Sequence, residues 1–474
     1  MLGAALLVML LAAQSAGAGH GLRTGFLDPG NFSGQTSQRS FARARDAGAS
    51  IVRIPLVWSV VASTKPLDGA DPADPAYRWD TLDEEVIQAR EHGLDPLVFI
   101  SGAPQWARGP AVGLPGTWPS PSAFGDVARA AALRYSGTYA DSSDTPDTSV
   151  LPRVRFWQAW NEPNAGRELT PQRRNGRPIT PAHYRSLVNA FADAVHGVRR
   201  SNLVVAGGLA PFGHDSQDIQ VVAPLAFMSQ LLCVSEKPPY RRTCSNRTRF
   251  DIWAHNPYTN GGPNRQAHSP ADVSIGDLPE MHALLTAARK LKTIESPQPP
   301  AFWVTEISWD TNPPDPLGVP MALQTRWVAE GLYRMWQSGV SAVIWFRLQD
   351  DPLRESPYQS GFYTVGGAAK PSLRAFRFPF VAFGKNGAVK VWGRTPTSAA
   401  GSVIIEGKSG SRWLKLASVR ADSSGIFSHN VSFADGTVLR ARLAGSTTVS
   451  VPFSLIAPPD RAATSFGCGG PIAC

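Results

Sequence analysis

The feature that most constrains the fold is an alternation of short apolar runs with amphipathic helical patterns between residues 20 and 384. Runs of five to nine apolar, β-branched and aromatic residues are typical of strands covered on both faces, and the amphipathic segments between them predict helices. Three of these segments end on a glycine just before the next run, as helix C-caps do: Gly48, Gly93 and Gly339. Eight runs are present, at 23–27, 51–58, 95–101, 154–160, 203–211, 250–258, 302–309 and 341–348.

This order predicts an α/β fold in which residues 20–384 form a (β/α)8 TIM barrel. Parallel strands joined by helices must be covered on both faces, and eight such units within about 360 residues suit a closed barrel with long loops. A doubly wound open sheet is the alternative. It favours a G-x-G-x-x-G phosphate turn after the first strand, and the segment LDPGNFSG at 27–34 lacks that spacing.

The pattern changes after residue 384. Short alternating strands, separated by Gly, Ser, Asp and Thr turns, replace the helical segments up to residue 457. Such spacing is typical of an antiparallel sandwich. We therefore expect a small Ig-like β-sandwich at 385–457, followed by a tail at 458–474 that carries two cysteines.

The first eighteen residues predict a secretion signal. An apolar stretch is followed by small residues, with Ala16 and Ala18 forming an A-x-A cleavage site. The stretch is too short for a convincing membrane span, and no other apolar run reaches roughly 18 residues. We therefore expect a secreted, extracellular protein without a membrane span.

Four cysteines fit an oxidising compartment. They allow three pairings, of which pairing by sequence distance is the simplest. None lies in a C-x-x-C motif, and no histidine stands at zinc-finger spacing, which argues against a structural metal. The expected disulfides are Cys233–Cys244 and Cys468–Cys474.

The charge balance is basic, with 46 Lys and Arg against 37 Asp and Glu, or +9. The basic residues occur in scattered pairs rather than in runs, which argues against a nucleic-acid-binding arm. A soluble basic surface is the simplest interpretation. Weak association with an acidic cell-surface polymer is the alternative. We expect a monomer.

Two glutamates stand next to or within apolar runs, where a charged side chain needs a buried partner or an open cleft. Glu162 comes directly after the fourth run in W-N-E-P, and Glu306 lies inside the seventh, in FWVTEISW. In a (β/α)8 barrel the carboxyl ends of the strands form the cleft, and strands four and seven face each other across it. The alternatives are a loop acid beside a turn for Glu162, and a buried ion pair with Arg53 or Arg347 for Glu306.

Two carboxyl groups about 5–5.5 Å apart are what retaining glycoside hydrolysis requires. One attacks the anomeric carbon while the other protonates the leaving oxygen, so their environments must differ. Arg53 on strand two can keep a nearby carboxylate ionised through its charge. Tyr258 can donate a hydrogen bond to the same carboxylate, with His255 close by. Structural pairing in the core is the alternative for these residues, and for His255 a bond to a backbone carbonyl.

The W-N-E-P and T-E motifs, 306 − 162 = 144 residues apart, resemble those of clan A retaining glycoside hydrolases, nearest the cellulase-like family 5 and family 39. The segment GAAKPSLRAF at 367–376 is similar to one in these enzymes, and the resemblance covers roughly residues 22–384. It implies that Glu162 is the acid/base and Glu306 the nucleophile. It also implies substrate-binding roles for the residues that match the family's strand-two Arg, the Asn before the acid/base, the strand-six His and Tyr and the strand-eight Trp: Arg53, Asn161, His255, Tyr258 and Trp345.

Tryptophan is frequent, with fourteen residues. Flat indole rings suit both protein cores and sugar rings. Trp345, Trp106 and Trp309 follow or end strands and are the candidates for sugar stacking, with core packing as the alternative.

These observations predict a secreted retaining glycosidase that acts on a β-linked polysaccharide or oligosaccharide. The chemistry requires no cofactor and no metal. The alternatives are a non-catalytic carbohydrate-binding protein on a degenerate barrel, a transglycosylase that passes the same intermediate to a sugar, and a cell-surface adhesion protein that works through its sandwich.

Overall fold

The computed structural model of the chain describes residues 20–109, 117–140, 150–215, 220–385, 388–434 and 436–458. The predicted signal segment at 1–18 and the second predicted disulfide, Cys468–Cys474, lie outside the described residues.

Eight parallel strands close into a barrel in which each strand pairs with the next one along the chain and the last pairs with the first. The predicted (β/α)8 barrel is therefore confirmed, and the open doubly wound sheet is excluded. The strands are β1 (Arg23–Leu27), β2 (Ile51–Val57), β3 (Asp95–Ser101), β4 (Phe156–Ala159), β5 (Leu203–Leu209), β6 (Ile252–His255), β7 (Ala301–Ile307) and β8 (Val340–Phe346).

At least one helix follows each strand. Gly48, Gly93 and Gly339 have φ angles of 84°, 70° and 92°, which confirms that they end helices in the left-handed conformation. The helices are α1 (Ser37–Asp46), α2 (Trp58–Val61), α3 (Asp80–Glu91), α4 (Pro121–Arg134), α5 (Thr180–Val198), α6 (Pro224–Leu231), α7 (Leu278–Lys290), α8 (Met321–Gln337) and α9 (Pro371–Arg377).

The barrel has two apolar layers, because successive side chains of a strand point to opposite faces. The larger layer packs the outer face of the strands against the helices. The smaller layer fills the barrel interior. Its members are Leu27, Ile51, Leu97, Phe99, Phe156, Val205, Ile252, Ala254, Trp303, Ala342, Ile344 and Phe346.

Two antiparallel sheets follow the barrel, as predicted for a sandwich. The first contains β9 (Phe380–Lys385), β10 (Ala388–Arg394) and β13 (Ile426–Ser432), in that order. The second has the order β12 (Arg412–Ala421), β11 (Gly401–Ser409), β14 (Val438–Leu443) and β15 (Phe453–Ser454).

A buried arginine joins the sandwich to the barrel. Arg394 on β10 donates from Nη1 to the carbonyl of Leu22 at 2.8 Å and to Thr24 Oγ1 at 3.1 Å. Its Nη2 donates to the carbonyl of Phe376 on α9 at 3.3 Å. The sandwich is thus bonded to both ends of the barrel sequence.

Aromatic residues complete this junction. Tyr333 and Trp336 on α8 pack on Trp392 of β10, with ring centroids 5.3 and 5.4 Å apart. Arg326, also on α8, lies over the Phe453 ring at 4.0 Å and donates to the carbonyl of Ser454 at 2.8 Å. The buried apolar residues of the two sheets and of the outer layer of the barrel belong to one continuous core.

The disulfide Cys233–Cys244 is formed, as predicted, with a Cα–Cα distance of 5.1 Å. It closes the loop that follows α6. None of the helices within the described ranges combines the length and the apolar character that a membrane crossing needs.

Candidate active site

The backbone turns sharply where β4 ends, and this turn places Glu162. Trp160 and Glu162 have φ angles of 69° and 42°, a conformation that side-chain-bearing residues rarely adopt. The amide of Glu162 donates to the carbonyl of Gly208 at the end of β5, at 3.0 Å. Positive φ in residues other than glycine is found where surrounding contacts enforce it, often at functional sites.

Asn164 holds the loop after Glu162. Its side chain is fully buried and donates to the carbonyls of Ala210 and Val222, at 3.0 and 2.9 Å. The amide of Ala210 returns a bond to Asn164 Oδ1 at 2.8 Å. The second Asn of the W-N-E-P-N segment is therefore an anchor between two loops, which fixes the path of the chain around Glu162.

Glu162 is only 4% exposed and has two side-chain partners. Asn256, after β6, donates from Nδ2 to Glu162 Oε1 at 3.1 Å. Arg167, five residues along the same loop, forms an ion pair with Glu162 Oε2. The Arg167 side chain is 47% exposed, so one partner of this carboxylate is buried and the other reaches it from solvent.

Glu306 lies where the pairing of β7 with β8 shifts register, between Val304 and Ile307. Irregularities of this kind re-aim side chains near active sites. Glu306 Oε1 accepts a hydrogen bond from the Tyr258 hydroxyl at 2.7 Å, and Oε2 lies 3.1 Å from Arg53 Nη1. Both oxygens thus have a donor.

Arg53 lies inside the barrel on β2 and is fully buried. It donates from Nε to Gln158 Oε1 at 3.0 Å and from Nη2 to Asn161 Oδ1 at 2.7 Å. Its guanidinium is 4.1 Å from the centroid of the Phe99 ring below it. A Cβ atom at Gly208 would lie 2.7 Å from Gln158 Nε2, so glycine is needed there to leave room for this support.

Two chains of contacts connect the glutamates. In the first, Arg53 bonds both Glu306 and Asn161, the residue before Glu162. In the second, Thr305 Oγ1 donates to Asn256 Oδ1 at 2.9 Å, and Asn256 donates to Glu162. The Arg53 side chain inside β2 and side chains from the ends of β4, β6 and β7 therefore form a single polar cluster at one mouth of the barrel.

Electrostatics couple the two carboxyl groups. Burial, and next the charge of Glu162, raise the pKa of Glu306, while the Arg53 charge and the Tyr258 hydrogen bond lower it. Burial, followed by the Glu306 charge, raises the pKa of Tyr258 well above its usual value, so its hydroxyl stays protonated and donates. Glu168 is a third carboxyl nearby, and burial followed by the Glu162 charge raises its pKa to about 7.

His255 does not join this cluster. It is fully buried, and its Nε2 lies 2.8 Å from the carbonyl of Val273. Burial lowers its pKa to about 4. This position matches the structural alternative, because Ala254 faces the barrel interior and the next side chain points to the opposite face.

Two of the three tryptophan candidates are core residues. Trp345 is 1% exposed, stacks on Phe362 at 4.8 Å and donates to the carbonyl of Ser360. Trp309 is 2% exposed and donates to the carbonyl of Gly261. Their ring faces are covered by protein, so the predicted stacking roles are not supported by this placement.

Trp106 alone keeps partial exposure. It meets Trp58 edge-on, with centroids 5.5 Å apart, and donates to the carbonyl of Ala62 at 2.9 Å. These contacts join the segment after β3 to α2 and the residue that follows it. Trp106 remains a candidate for the rim of the cleft.

The aromatic side chain that faces the barrel interior at the end of β8 is Phe346, one position after the predicted Trp345. Tyr358 meets it edge-on at 4.9 Å. Burial, followed by the charge of Glu306, raises the pKa of Tyr358. Phe346 and Tyr358 thus form an aromatic pair at the carboxyl end of β8, on the interior side of the barrel.

Sequence reasoning missed three polar members of the cluster: Arg167, Asn256 and Gln158. Gln158 carried a signal, since a glutamine inside an apolar strand needs a buried partner. Within the described residues, no group of three or more His, Cys, Asp or Glu side chains is arranged to hold a metal ion.

Comparisons by sequence find nothing: no family model matches the chain, and no curated protein is similar to it. Solved structures are similar in fold. A family 39 glycoside hydrolase from the gut symbiont Bacteroides cellulosilyticus WH2 matches with a TM-score of 0.55 and 16% identity, over 87% of this chain and 79% of that chain.

Two further matches are looser. A glucosidase from Croceicoccus marinus has a TM-score of 0.48 and 13% identity, over 86% of this chain and 80% of that chain. The GH39 enzyme from Xanthomonas axonopodis pv. citri has a TM-score of 0.48 and 15% identity, over 87% and 91%. On the first of these comparisons, the chain shares its fold with a family 39 glycoside hydrolase, in agreement with the clan A resemblance of its two glutamate motifs.

Proposed function

We propose that this protein is a secreted retaining glycoside hydrolase that cuts β-linked O-glycosidic bonds of a polysaccharide or oligosaccharide. The observation that carries the proposal is the joining of Glu162 and Glu306 in one polar cluster through Arg53 and Asn256. A fold shared with a family 39 glycoside hydrolase supports it.

Glu306 is the nucleophile. A nucleophilic carboxylate must be ionised and aimed, and both Glu306 oxygens are held by donors from different strands, Arg53 and Tyr258. The buried positive charge of Arg53 opposes the effect of burial on the pKa of Glu306. The carboxylate attacks the anomeric carbon, and the glycosidic bond to the leaving oxygen breaks.

Glu162 is the acid/base. It donates its proton to the leaving oxygen, then takes one from the water that hydrolyses the glycosyl–Glu306 ester. Its charged partner, Arg167, is half exposed and carried by a loop, whereas the partner of Glu306 is fixed inside the barrel. Glu162, which must change its protonation state twice, is therefore the carboxyl whose charged partner, Arg167, can move away.

Carbohydrate recognition is assigned to the walls of the cleft. Asn161 lies beside the acid/base and accepts from Arg53, which leaves its amide group to bind a sugar hydroxyl. Phe346 and Tyr358 provide the apolar surface that a sugar ring packs against. The disulfide Cys233–Cys244 supports export, since such bonds persist in oxidising compartments.

Steady-state kinetics on a panel of aryl β-glycosides test the assignment. Glu306→Gln and Glu162→Gln should each lower kcat/KM by at least about a thousandfold. Glu168→Gln removes another carboxyl of the same loop, one that is partly exposed, and serves as the matched control that keeps most of the activity. Near-normal turnover by either of the first two variants would remove that carboxyl from the mechanism.

Azide rescue separates the two roles. Glu306→Gly with azide should yield the α-glycosyl azide, because azide replaces the nucleophile and inverts the centre once. Glu162→Ala should yield the β-glycosyl azide, because azide attacks an intact glycosyl-enzyme. NMR of the first product formed by the wild-type protein should show the β-anomer, and an α-anomer would exclude a retaining reaction.

A further inference from the structure

The outer face of the second sandwich sheet carries a concentration of positive charge. Residues directly opposite each other on neighbouring strands point to the same side of a sheet. The register places Lys408 opposite Trp413, and Glu406 opposite both Lys415 and Arg440. Farther along, Ser402 is opposite Arg420 and Ile404 is opposite Arg442, so these side chains share one side.

The opposite side of the same strands is the sandwich core. Val403 and Ile405 on β11 and Leu439 and Ala441 on β14 are buried. Since side chains alternate along a strand, the charged residues between them face away from the core. We call this outer surface the basic face; it consists of Lys408, Trp413, Lys415, Arg420, Arg440 and Arg442, with Glu406 among them.

The basic face has five cations and one carboxylate. Glu406 accepts the Nε hydrogens of Arg440 and Arg442, both at 2.7 Å. Arg440 also lies over the Trp413 ring, with its guanidinium carbon 4.0 Å from the ring centroid. The two guanidinium groups are therefore held in fixed positions, while Lys408, Lys415 and Arg420 are exposed around them.

We propose that the basic face binds an acidic polysaccharide, a glycan chain that bears carboxylate or sulfate groups. Five cations on three adjacent strands, about 4.8 Å apart from strand to strand, match a chain with regularly spaced negative groups. Planar guanidinium groups suit the bidentate geometry of carboxylates and sulfates. The neighbouring Trp413 ring offers an apolar edge for a sugar ring.

A glycan fits better than a nucleic acid. Single-stranded nucleic acids are bound by several aromatic rings along a groove, and the basic face has one ring, already covered on one side by Arg440. This inference goes beyond the proposed hydrolysis. It concerns a surface on the sandwich and is tested by binding alone, so a failure of the glycosidase proposal would leave it untouched.

The test uses the full chain and measures binding to polygalacturonate by affinity electrophoresis and calorimetry at low ionic strength. The triple variant Lys408→Glu, Lys415→Glu, Arg420→Glu should bind at least about tenfold more weakly than the wild type. The control reverses three exposed cations elsewhere, Lys65→Glu, Arg200→Glu and Lys237→Glu. It has the same net charge and should bind like the wild type.

Other outcomes decide against the proposal. Equal weakening in both triple variants would mean that net charge, not the basic face, controls binding. Equal binding of uncharged galactan would exclude an electrostatic site, as would affinity unchanged between about 0.02 and 0.5 M salt. Binding of duplex DNA through the same three residues, with polygalacturonate bound no better, would replace the glycan by a nucleic acid. Unchanged melting temperatures show that the variants are folded.

Discussion

Arg53 and Glu306, 253 residues apart in sequence, form an ion pair inside the barrel, with Nη1 3.1 Å from Oε2. The same guanidinium also bonds Gln158 and Asn161, so one arginine positions both sides of the cleft. Breaking a buried ion pair from one side is costly because the remaining charge stays in a low-dielectric site.

Arg53→Met should therefore affect both stability and turnover. We expect a loss of about 3–5 kcal/mol in the free energy of unfolding, measured by denaturant titration. We also expect kcat/KM to fall at least about a hundredfold, because Glu306 loses the charge that favours its ionised form. Arg53→Lys keeps the charge, but its single ammonium nitrogen cannot reach the partners that Arg53 bonds from Nε, Nη1 and Nη2. It should therefore be intermediate in both quantities. A fully active Arg53→Met would show that Glu306 does not depend on this pair.

Tyr258→Phe should shift the pH dependence of catalysis. The Tyr258 hydroxyl lowers the pKa of Glu306, so its removal raises that pKa. An ionised nucleophile is then available only at higher pH, and the acid limb of the kcat/KM profile should move upward by up to about one pH unit. Tyr77→Phe removes a hydroxyl that bonds the carbonyl of Gly69, away from Glu306, and should leave the profile in place. An unmoved limb in Tyr258→Phe would contradict the role of this hydrogen bond.

Trp345 and Phe346 should separate core packing from substrate binding. Trp345→Leu leaves a void in the outer layer and should cost about 3 kcal/mol or more of stability while KM stays near its wild-type value. Phe346→Leu shortens the aromatic surface that Phe346 forms with Tyr358 at the end of β8, and it should raise KM with a smaller loss of stability. Thermal unfolding and steady-state kinetics measure the stability and the KM of each variant. A KM increase confined to Trp345→Leu would restore that residue as the sugar platform.

Titration of Glu85 on α3 should make the free energy of unfolding depend on pH. It is 4% exposed, and burial followed by the Glu84 charge raises its pKa to about 8. The folded state then holds a proton that the unfolded state releases near pH 4.5. Its contribution to stability is therefore full below pH 4.5 and is lost as the pH rises towards 8, by at most about 4–5 kcal/mol.

Glu85→Gln is neutral at all pH values and should remove this dependence. Relative to the wild type, its free energy of unfolding should improve between pH 5 and pH 8.5 in urea titrations. The exposed neighbour offers a control, since Glu84→Gln should change stability little at either pH. A constant difference between Glu85→Gln and the wild type across this range would show that Glu85 is ionised when folded.

The barrel and the positions of its two glutamates could be predicted from the sequence because both leave strong local signals. Eight apolar runs separated by helical patterns determine the strand order once the barrel closes, and Glu162 and Glu306 stand out against apolar neighbours. Arg53 was identifiable for the same reason. In each case a charged side chain in an apolar strand needs a buried partner or a cleft.

Other features left no such signal. Parallel strands are buried on both faces, so the run VIWF at 343–346 shows no alternation that could tell Trp345 from Phe346. Arg167 meets Glu162 only through the path of an irregular loop. The first strand of the sandwich, Phe380–Lys385, begins just after α9, with no polar turn between the two elements. Its start therefore leaves no signal in the sequence, which predicts a sandwich that begins only at residue 385.

Arg394 donates to Leu22 and Thr24 at the start of the barrel, and Trp392 packs on α8, so several contacts hold the sandwich in one position on the barrel. A polymer bound to the basic face of the sandwich would then enter the cleft at a constant distance from the point where it is bound. The fragments released from a bound chain should therefore cluster around one length. A flexible insert at residue 379 should broaden this length distribution without lowering the rate of cleavage.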